Sequence, residues 1–156
     1  MKRQPFDNTP GAQISSEALR HALAAAGWRY TRQREAVFRH LQAAHDHPTA
    51  DQIYAAVRRQ IPSISLATVY KALEALVEAH LATKIPDASG PARFESHSEP
   101  HYHARCTKTG RILDLAVPFD ASLLGKLDPH LIEKLQRQGF QVTGYRLELL
   151  GQFQSN

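Results

Sequence analysis

The chain has 156 residues, 42% hydrophobic and 22% charged, with a formal net charge of +4 and a pI near 9.4. That is the composition of an ordinary globular protein: no apolar run approaches the roughly 18–20 residues that span a bilayer, and the region after Met1 lacks the apolar stretch of a secretory signal. Cys106 is the only cysteine, which excludes an intramolecular disulfide and any Cys-pair zinc site, so a cytoplasmic protein is expected.

The basic bias lies at the front. Residues 1–62 hold nine Lys/Arg against five Asp/Glu, and residues 96–156 hold seven against six. Such an excess permits nucleic-acid binding without requiring it, and ordinary scatter of solvated charge accounts for it as well.

Residues 1–14 read as a flexible arm, and four helices follow. Ser15 or Ser16 caps the first, in which Leu19, Ala22, Leu23 and Ala26 recur at helical spacing until Gly27 ends it. Thr31 opens the second, which runs through Leu41 with Val37, Phe38 and Leu41 on one face. Thr49 caps a third, carrying Ile53, Tyr54 and Val57 and stopping before Pro62. Ser65 caps a fourth, with the stripe Val69, Leu73, Leu76 and Val77, extending to about His80. Two β-like segments, 81–85 and 92–96, then flank the turn-rich run 86–91. Helices followed by a β-hairpin outline a winged helix over residues 15–96. Strands at about 102–106 and 110–116, a helix from about Asp120 to Gln138 and a strand from Phe140 to Leu150 make a smaller α/β unit over residues 97–156. The whole is an α+β chain whose boundary falls between Gly90 and Glu99.

Two constellations carry chemistry. In a helix-turn-helix the later helix presents its first turns to base edges. Here that helix begins at Ser65, and Thr68, Tyr70 and Lys71 offer a hydroxyl, an aromatic edge and a cation. Arg29, Arg32 and Arg34 gather at the start of the second helix, where arginines hold phosphates or enter a minor groove. By residue type alone, a packing tyrosine and solvated cations are equally good readings. The second constellation is His101-Tyr-His103. On a strand, i and i+2 share a face. If residues 107–110 form a hairpin loop, Cys106 faces Arg111 and His103 faces Asp114, with Cβ atoms about 4.5–5.5 Å apart. The ordinary reading of a lone His-x-His is a polar strand face with no metal. Cys106 itself reads as a small buried hydrophobe.

Residues 29–34 (RYTRQR), 47–54 (HPTADQIY), 62–73 (PSISLATVYKAL), 101–106 (HYHARC) and 110–114 (GRILD) together resemble the Fur family in order and spacing, over about residues 16–151. The resemblance implies a cytoplasmic bacterial regulator, a homodimer with an N-terminal winged-helix DNA-binding domain and a small C-terminal α/β dimerisation domain, and a divalent metal at the hinge. It assigns the metal to His47, Glu95, His101, His103 and Asp114. It assigns DNA contacts to Arg29, Tyr70 and Lys71, to which helix geometry adds Thr68 and the arginine cluster adds Arg32 and Arg34. Three nitrogens and two carboxylates suit Fe(II) or Mn(II), with Zn(II) or Ni(II) able to substitute. The implied partner is a near-palindromic double-stranded operator, with no membrane and no small organic substrate.

The departures from the family pattern matter too. Positions 106–109 (CTKT) and 152–155 (QFQS) lack the Cys-x-x-Cys pairs that hold a structural zinc in many members, so no structural zinc is expected. Pro100, Tyr102, Ala121 and Tyr145 stand where some members have further ligands. The His-Tyr-His run and Asp114 look like the peroxide-sensing PerR branch, in which bound Fe(II) leads to oxidation of a ligand histidine, here His47 or His101. Glu95 stands where that branch has Asp, which keeps a Fur-like iron sensor, or a sensor of zinc or manganese, as the alternative. A winged helix without metal is a further one. No HExxH or comparable catalytic motif is present, so an enzyme is not expected.

Overall fold

The computed structural model describes residues 14–88, 90–96 and 99–154; the expected arm over residues 1–14 lies almost wholly outside them, as does His97. The first helix, α1 (Ser16–Ala25), is capped by Ser15, whose side chain accepts from the Ala18 N–H. It ends in a Schellman turn, with Trp28 N–H donating to Leu23 O at 2.8 Å and Gly27 at φ +80°. Thr31 caps α2 (Arg32–Ala43), and Thr49 with Gln52 forms a capping box on α3 (Ala50–Val57). Ser65 caps α4 (Leu66–Glu78). This helix stops two residues short of the expected His80, because His80 takes the left-handed position at φ +55° and the Leu81 N–H turns back to Leu76 O at 2.8 Å.

These four helices bury one apolar cluster. Leu19, Leu23, Phe38, Leu41, Ile53, Val57, Val69, Leu73 and Leu76 are almost wholly shielded, and Phe94 from the following hairpin closes the cluster. The hairpin pairs β1 (Thr83–Ile85) with β2 (Arg93–Glu95), antiparallel and with Thr83 opposite Glu95. One bridge, Thr49 to Arg93, fastens β2 to the start of α3.

The rest is a three-stranded sheet. Its middle strand, β3 (Tyr102–Cys106), pairs antiparallel with β4 (Ile112–Leu115) and parallel with β5 (Glu148–Gly151). The hairpin between β3 and β4 has the expected register, with His103 opposite Asp114 and the Cys106 N–H donating to Arg111 O at 2.9 Å. Two expectations fail here. The single helix over 120–138 is two, α5 (Leu123–Leu127) and α6 (Leu131–Arg137). Pro129 breaks it, having no N–H to donate and driving Asp128 to φ −151°, ψ 114°. The strand over 140–150 shrinks to β5. Its parallel register sets Glu148 beside His103, and earlier residues would need partners before β3, where Pro100 has no N–H for a ladder.

Among the described residues, no helix is long and apolar enough to cross a membrane. The helical half carries most of the buried apolar core, whereas α5 and α6 bury no residue fully. Leu76→Ala, at a fully shielded position, is expected to cost about 2–5 kcal/mol, whereas Tyr70→Ala on the exposed face of the same helix stays within about 0.5 kcal/mol. Urea denaturation of both variants measures the difference.

Candidate metal centre

Five side chains from both halves of the chain converge between the hairpin and the three-stranded sheet. His47 lies two residues before the Thr49 cap of α3, Glu95 ends β2, His101 immediately precedes β3, His103 is its second residue, and Asp114 is on β4. Their candidate ligand atoms all lie within 4.8 Å of one another. Each has a local reason to be where it is. His47 sits in the left-handed region at φ 50°, a conformation that costs a non-glycine residue about a kcal/mol or more. It is held there by β2: Arg93 donates to His47 O at 3.0 Å, and the Phe94 N–H donates to Pro48 O at 3.0 Å. Glu95, next along β2, therefore meets His47 already. The pleat of β3 aims His101 and His103 to one side, and the β3–β4 register brings in Asp114.

The distances have a pattern that hydrogen bonding alone does not produce. Glu95 Oε2 lies 3.1, 3.2 and 3.2 Å from the Nε2 atoms of His47, His101 and His103. Asp114 Oδ1 lies 2.8, 3.3 and 3.4 Å from the same three atoms. Each nitrogen thus faces two oxygens, and a ring N–H can be directed well at only one. The rings serve Glu95, so both oxygens of Asp114 are buried with no hydrogen bond of acceptable geometry. A carboxylate buried without a partner is costly. A divalent cation about 2.1 Å from two ligands at right angles sets those ligands about 3.0 Å apart, which is the spacing seen here. Three neutral imidazoles and two carboxylates also sum to the charge that one divalent cation cancels. The donor set fits Fe(II), Mn(II), Zn(II) or Ni(II).

Without a cation, protons must do the neutralising. Burial alone would lower His47, but Asp114 and Glu95 beside it lift it to about 9. Asp114 and then Glu95 lift His101 to about 10, against a smaller opposing effect of burial. Burial alone would raise both carboxyls, yet the three imidazoles hold them well below the usual carboxylate range.

The residues expected to meet DNA all lie in the helical half, at or near the starts of α2 and α4. Arg29, Arg32 and Lys71 are exposed, and Tyr70 is 49% exposed, an unusual degree for a large aromatic on a core helix. Arg34 is already engaged: it donates to Arg29 O at 2.7 Å and stacks on Trp28. The Thr68 hydroxyl lies 2.8 Å from that of Ser65 at the helix cap. His45 is exposed and outside the five-residue cluster, and Cys106 is buried. At Pro100, Tyr102, Ala121 and Tyr145 the chain has an aromatic group instead of ligands. The Tyr102 and Tyr145 hydroxyls are 2.7 Å apart, and Phe119 stacks on Tyr145.

Sequence reasoning missed Arg105, which lies two residues past His103 on the same face of β3, is buried, and pairs with Asp87 and Glu148. The alternation that singled out the histidines points to Arg105 as well.

Residues 25–150 match the model of the ferric uptake regulator family. The peroxide-responsive repressor PerR of Staphylococcus epidermidis is 35% identical over 130 residues, covering 83% of this chain and 82% of that protein. Among solved structures, the Campylobacter jejuni peroxide stress regulator is 28% identical with a TM-score of 0.59, covering 92% of this chain and 98% of that one. The ferric uptake regulator of Pseudomonas aeruginosa with manganese is 26% identical with a TM-score of 0.62, covering 86% and 97%.

A cation needs the Nε2 lone pairs that protons occupy in the metal-free chain, so binding must release protons from His47 and His101. Lower pH favours the competing protonated state. Mn(II) affinity is therefore expected to be weaker at about pH 6 than at about pH 8 and to go on rising toward the values near 9 and 10 at which these rings lose their protons. Calorimetry in buffers of different ionisation enthalpy counts the protons released.

Proposed function

Because the chain belongs to the ferric uptake regulator family and is a metal-dependent transcriptional repressor, we propose that His47, Glu95, His101, His103 and Asp114 hold its regulatory metal. The observation that carries this is the buried Asp114 carboxylate, which makes no hydrogen bond of acceptable geometry yet has Oδ1 2.8, 3.3 and 3.4 Å from three imidazole nitrogens. Fe(II) or Mn(II) is the proposed metal, with Zn(II) or Ni(II) able to substitute. Ligands from both halves make metal binding a clamp on the angle between a winged-helix domain over residues 15–96 and a dimerisation domain over 97–156. A ligand shifts such an equilibrium by as much as its affinities for the two arrangements differ.

Regulators of this family bind DNA and act as dimers. For this chain we assign base contacts to Tyr70 and Lys71, with Thr68 beside them, and backbone contacts to Arg29, Arg32 and Arg34. Arg34 and Thr68 are the weaker members, because each is already engaged within the chain. The dimer face is the apolar surface that one copy leaves open: Val117, Leu127, Phe140, Leu149 and Leu150 are each more than half exposed. Burying it needs no structural zinc. Two-fold symmetry then calls for a near-palindromic operator, read in the cytoplasm.

The signal we propose is peroxide. Bound Fe(II) supplies the chemistry that turns peroxide into an oxidant beside the ligand rings. A cavity of about 270 Å³ reaches Glu95, His101 and His103 from outside, giving a small oxidant a path to them. His101, 19% exposed in its side chain, and His47 are the rings that would take up an oxygen atom. The oxidised ring is a poorer ligand, so the clamp opens. A second reading is a sensor of metal level itself, favoured by Glu95, whose one oxygen already meets all three imidazoles.

Two outcomes test these readings. Asp114→Ala and His103→Ala are expected to abolish Mn(II)-dependent operator binding with the helical fold intact by circular dichroism; normal operator binding by either in chelator sinks the metal switch. Iron-loaded protein exposed to peroxide is expected to gain one oxygen atom on His101 or His47 by peptide mass mapping, and unmodified rings would make metal level the signal. For the DNA surface, Lys71→Ala and Tyr70→Ala are expected to reduce discrimination between operator and random DNA by about 1–3 kcal/mol per lost base contact, whereas Arg32→Ala weakens both alike and flattens the salt dependence. Titrations at several salt concentrations separate the two effects.

A further inference from the structure

The two halves of the chain meet at a second point that contains no metal ligand. Arg105 Nη1 donates to Asp87 Oδ2 at 2.8 Å and Nη2 to Pro86 O at 3.1 Å. On its other side, Arg105 Nε lies 3.0 Å from both oxygens of Glu148 on β5. The side chains of Arg105 and Asp87 are each 9% exposed. Asp87 belongs to the turn joining β1 to β2, and Arg105 to the middle of the three-stranded sheet. The contact is tightly built: a Cβ at Gly110, whose φ is +68°, would stand 3.2 Å from Asp87 Oδ2.

We propose that Arg105 and Asp87 are positioning residues for the metal response, forming a latch that favours the arrangement with the β1–β2 hairpin against the sheet before metal binds. The metal cluster and the latch join the same two elements. β2 carries Glu95, its preceding turn carries Asp87, and β3 carries His103 and Arg105 on one face. Ligands drawn from two bodies bind a cation only in the fraction of molecules that have both bodies in register, and apparent affinity falls in proportion to that fraction. The latch raises that fraction in advance. Glu148 keeps the guanidinium paired within its own sheet, so a buried charge is never left alone when the hairpin swings away. This inference rests on the regulatory reading of the metal site.

The test uses the full chain. Asp87→Asn leaves the Arg105–Glu148 pair, and hence the sheet, in place. The Mn(II) concentration at half-saturation is expected to rise roughly ten-fold, while operator affinity at saturating Mn(II) equals the parent's. In chelator the radius of gyration by small-angle scattering is expected to exceed the parent's. Asp87→Glu, which keeps the charge, recovers most of the metal affinity. An unchanged Mn(II) half-point in Asp87→Asn overturns the latch even where that variant melts earlier, since a merely structural contact lowers the melting temperature and leaves metal affinity alone. If the parent itself binds the operator without metal, the regulatory reading fails, and scattering in chelator still decides the latch: equal dimensions for Asp87→Asn and parent reject it.

Discussion

Two carboxylates taken out of water beside three imidazoles form the constraint around which this chain is organised. Burying one such charge without compensation costs several kcal/mol, and Glu95 and Asp114 are both largely buried. Their surroundings consist of devices that keep compensation within reach. The bridge from Thr49 to Arg93 and the Arg93 bond to His47 O tie a strained histidine to the strand that ends in Glu95. The β3–β4 register, set by a tight turn ending at Gly110, delivers Asp114 opposite His103. Each half brings an incomplete set of donors, so the favourable electrostatics exist only when the halves meet.

The two halves are built on different physical terms. The helical half carries a closed apolar cluster to which all four of its helices contribute. The other half is thin. Its two helices carry no fully buried residue, and its exposed leucines and Phe140 leave apolar surface unmatched. Under the proposed reading this asymmetry suits a regulator, because a firmly packed part would read DNA while a softer part would change its relations to a partner and to a cation.

Most of the helical half was legible in the sequence, because caps and apolar spacing are local signals: Ser15, Thr31, Thr49 and Ser65 each stand where the structure has an N-cap. The β3–β4 register was legible for the same reason, since a short hairpin loop leaves few alternatives. What failed was decided by context. Pro129 outweighed an otherwise helical pattern, and the alternation from Phe140 onward gave no hint that the neighbouring strand runs out of donors at Pro100. The convergence of the five candidate ligands came from family resemblance, because His47 and Glu95 lie far from β3 in sequence and no local pattern joins them. Arg105 was readable as an inward-facing charge, but its partners Asp87 and Glu148 were not, since both are chosen by tertiary approach.

The parallel pairing of β3 with β5 has a consequence for the order in which the molecule matures. Arg105 and Glu148 stand 43 residues apart in the chain, and β3 cannot be flanked on both edges until that later segment has been synthesised. The helical cluster closes through contacts among elements that are all finished before β3 emerges. Domains assemble from the N-terminus as the ribosome delivers them, so the helical half is complete on a nascent chain whose sheet still lacks its last strand. A chain interrupted between β4 and β5 would carry the closed helical cluster and all five candidate metal donors, with β3 left open along one edge.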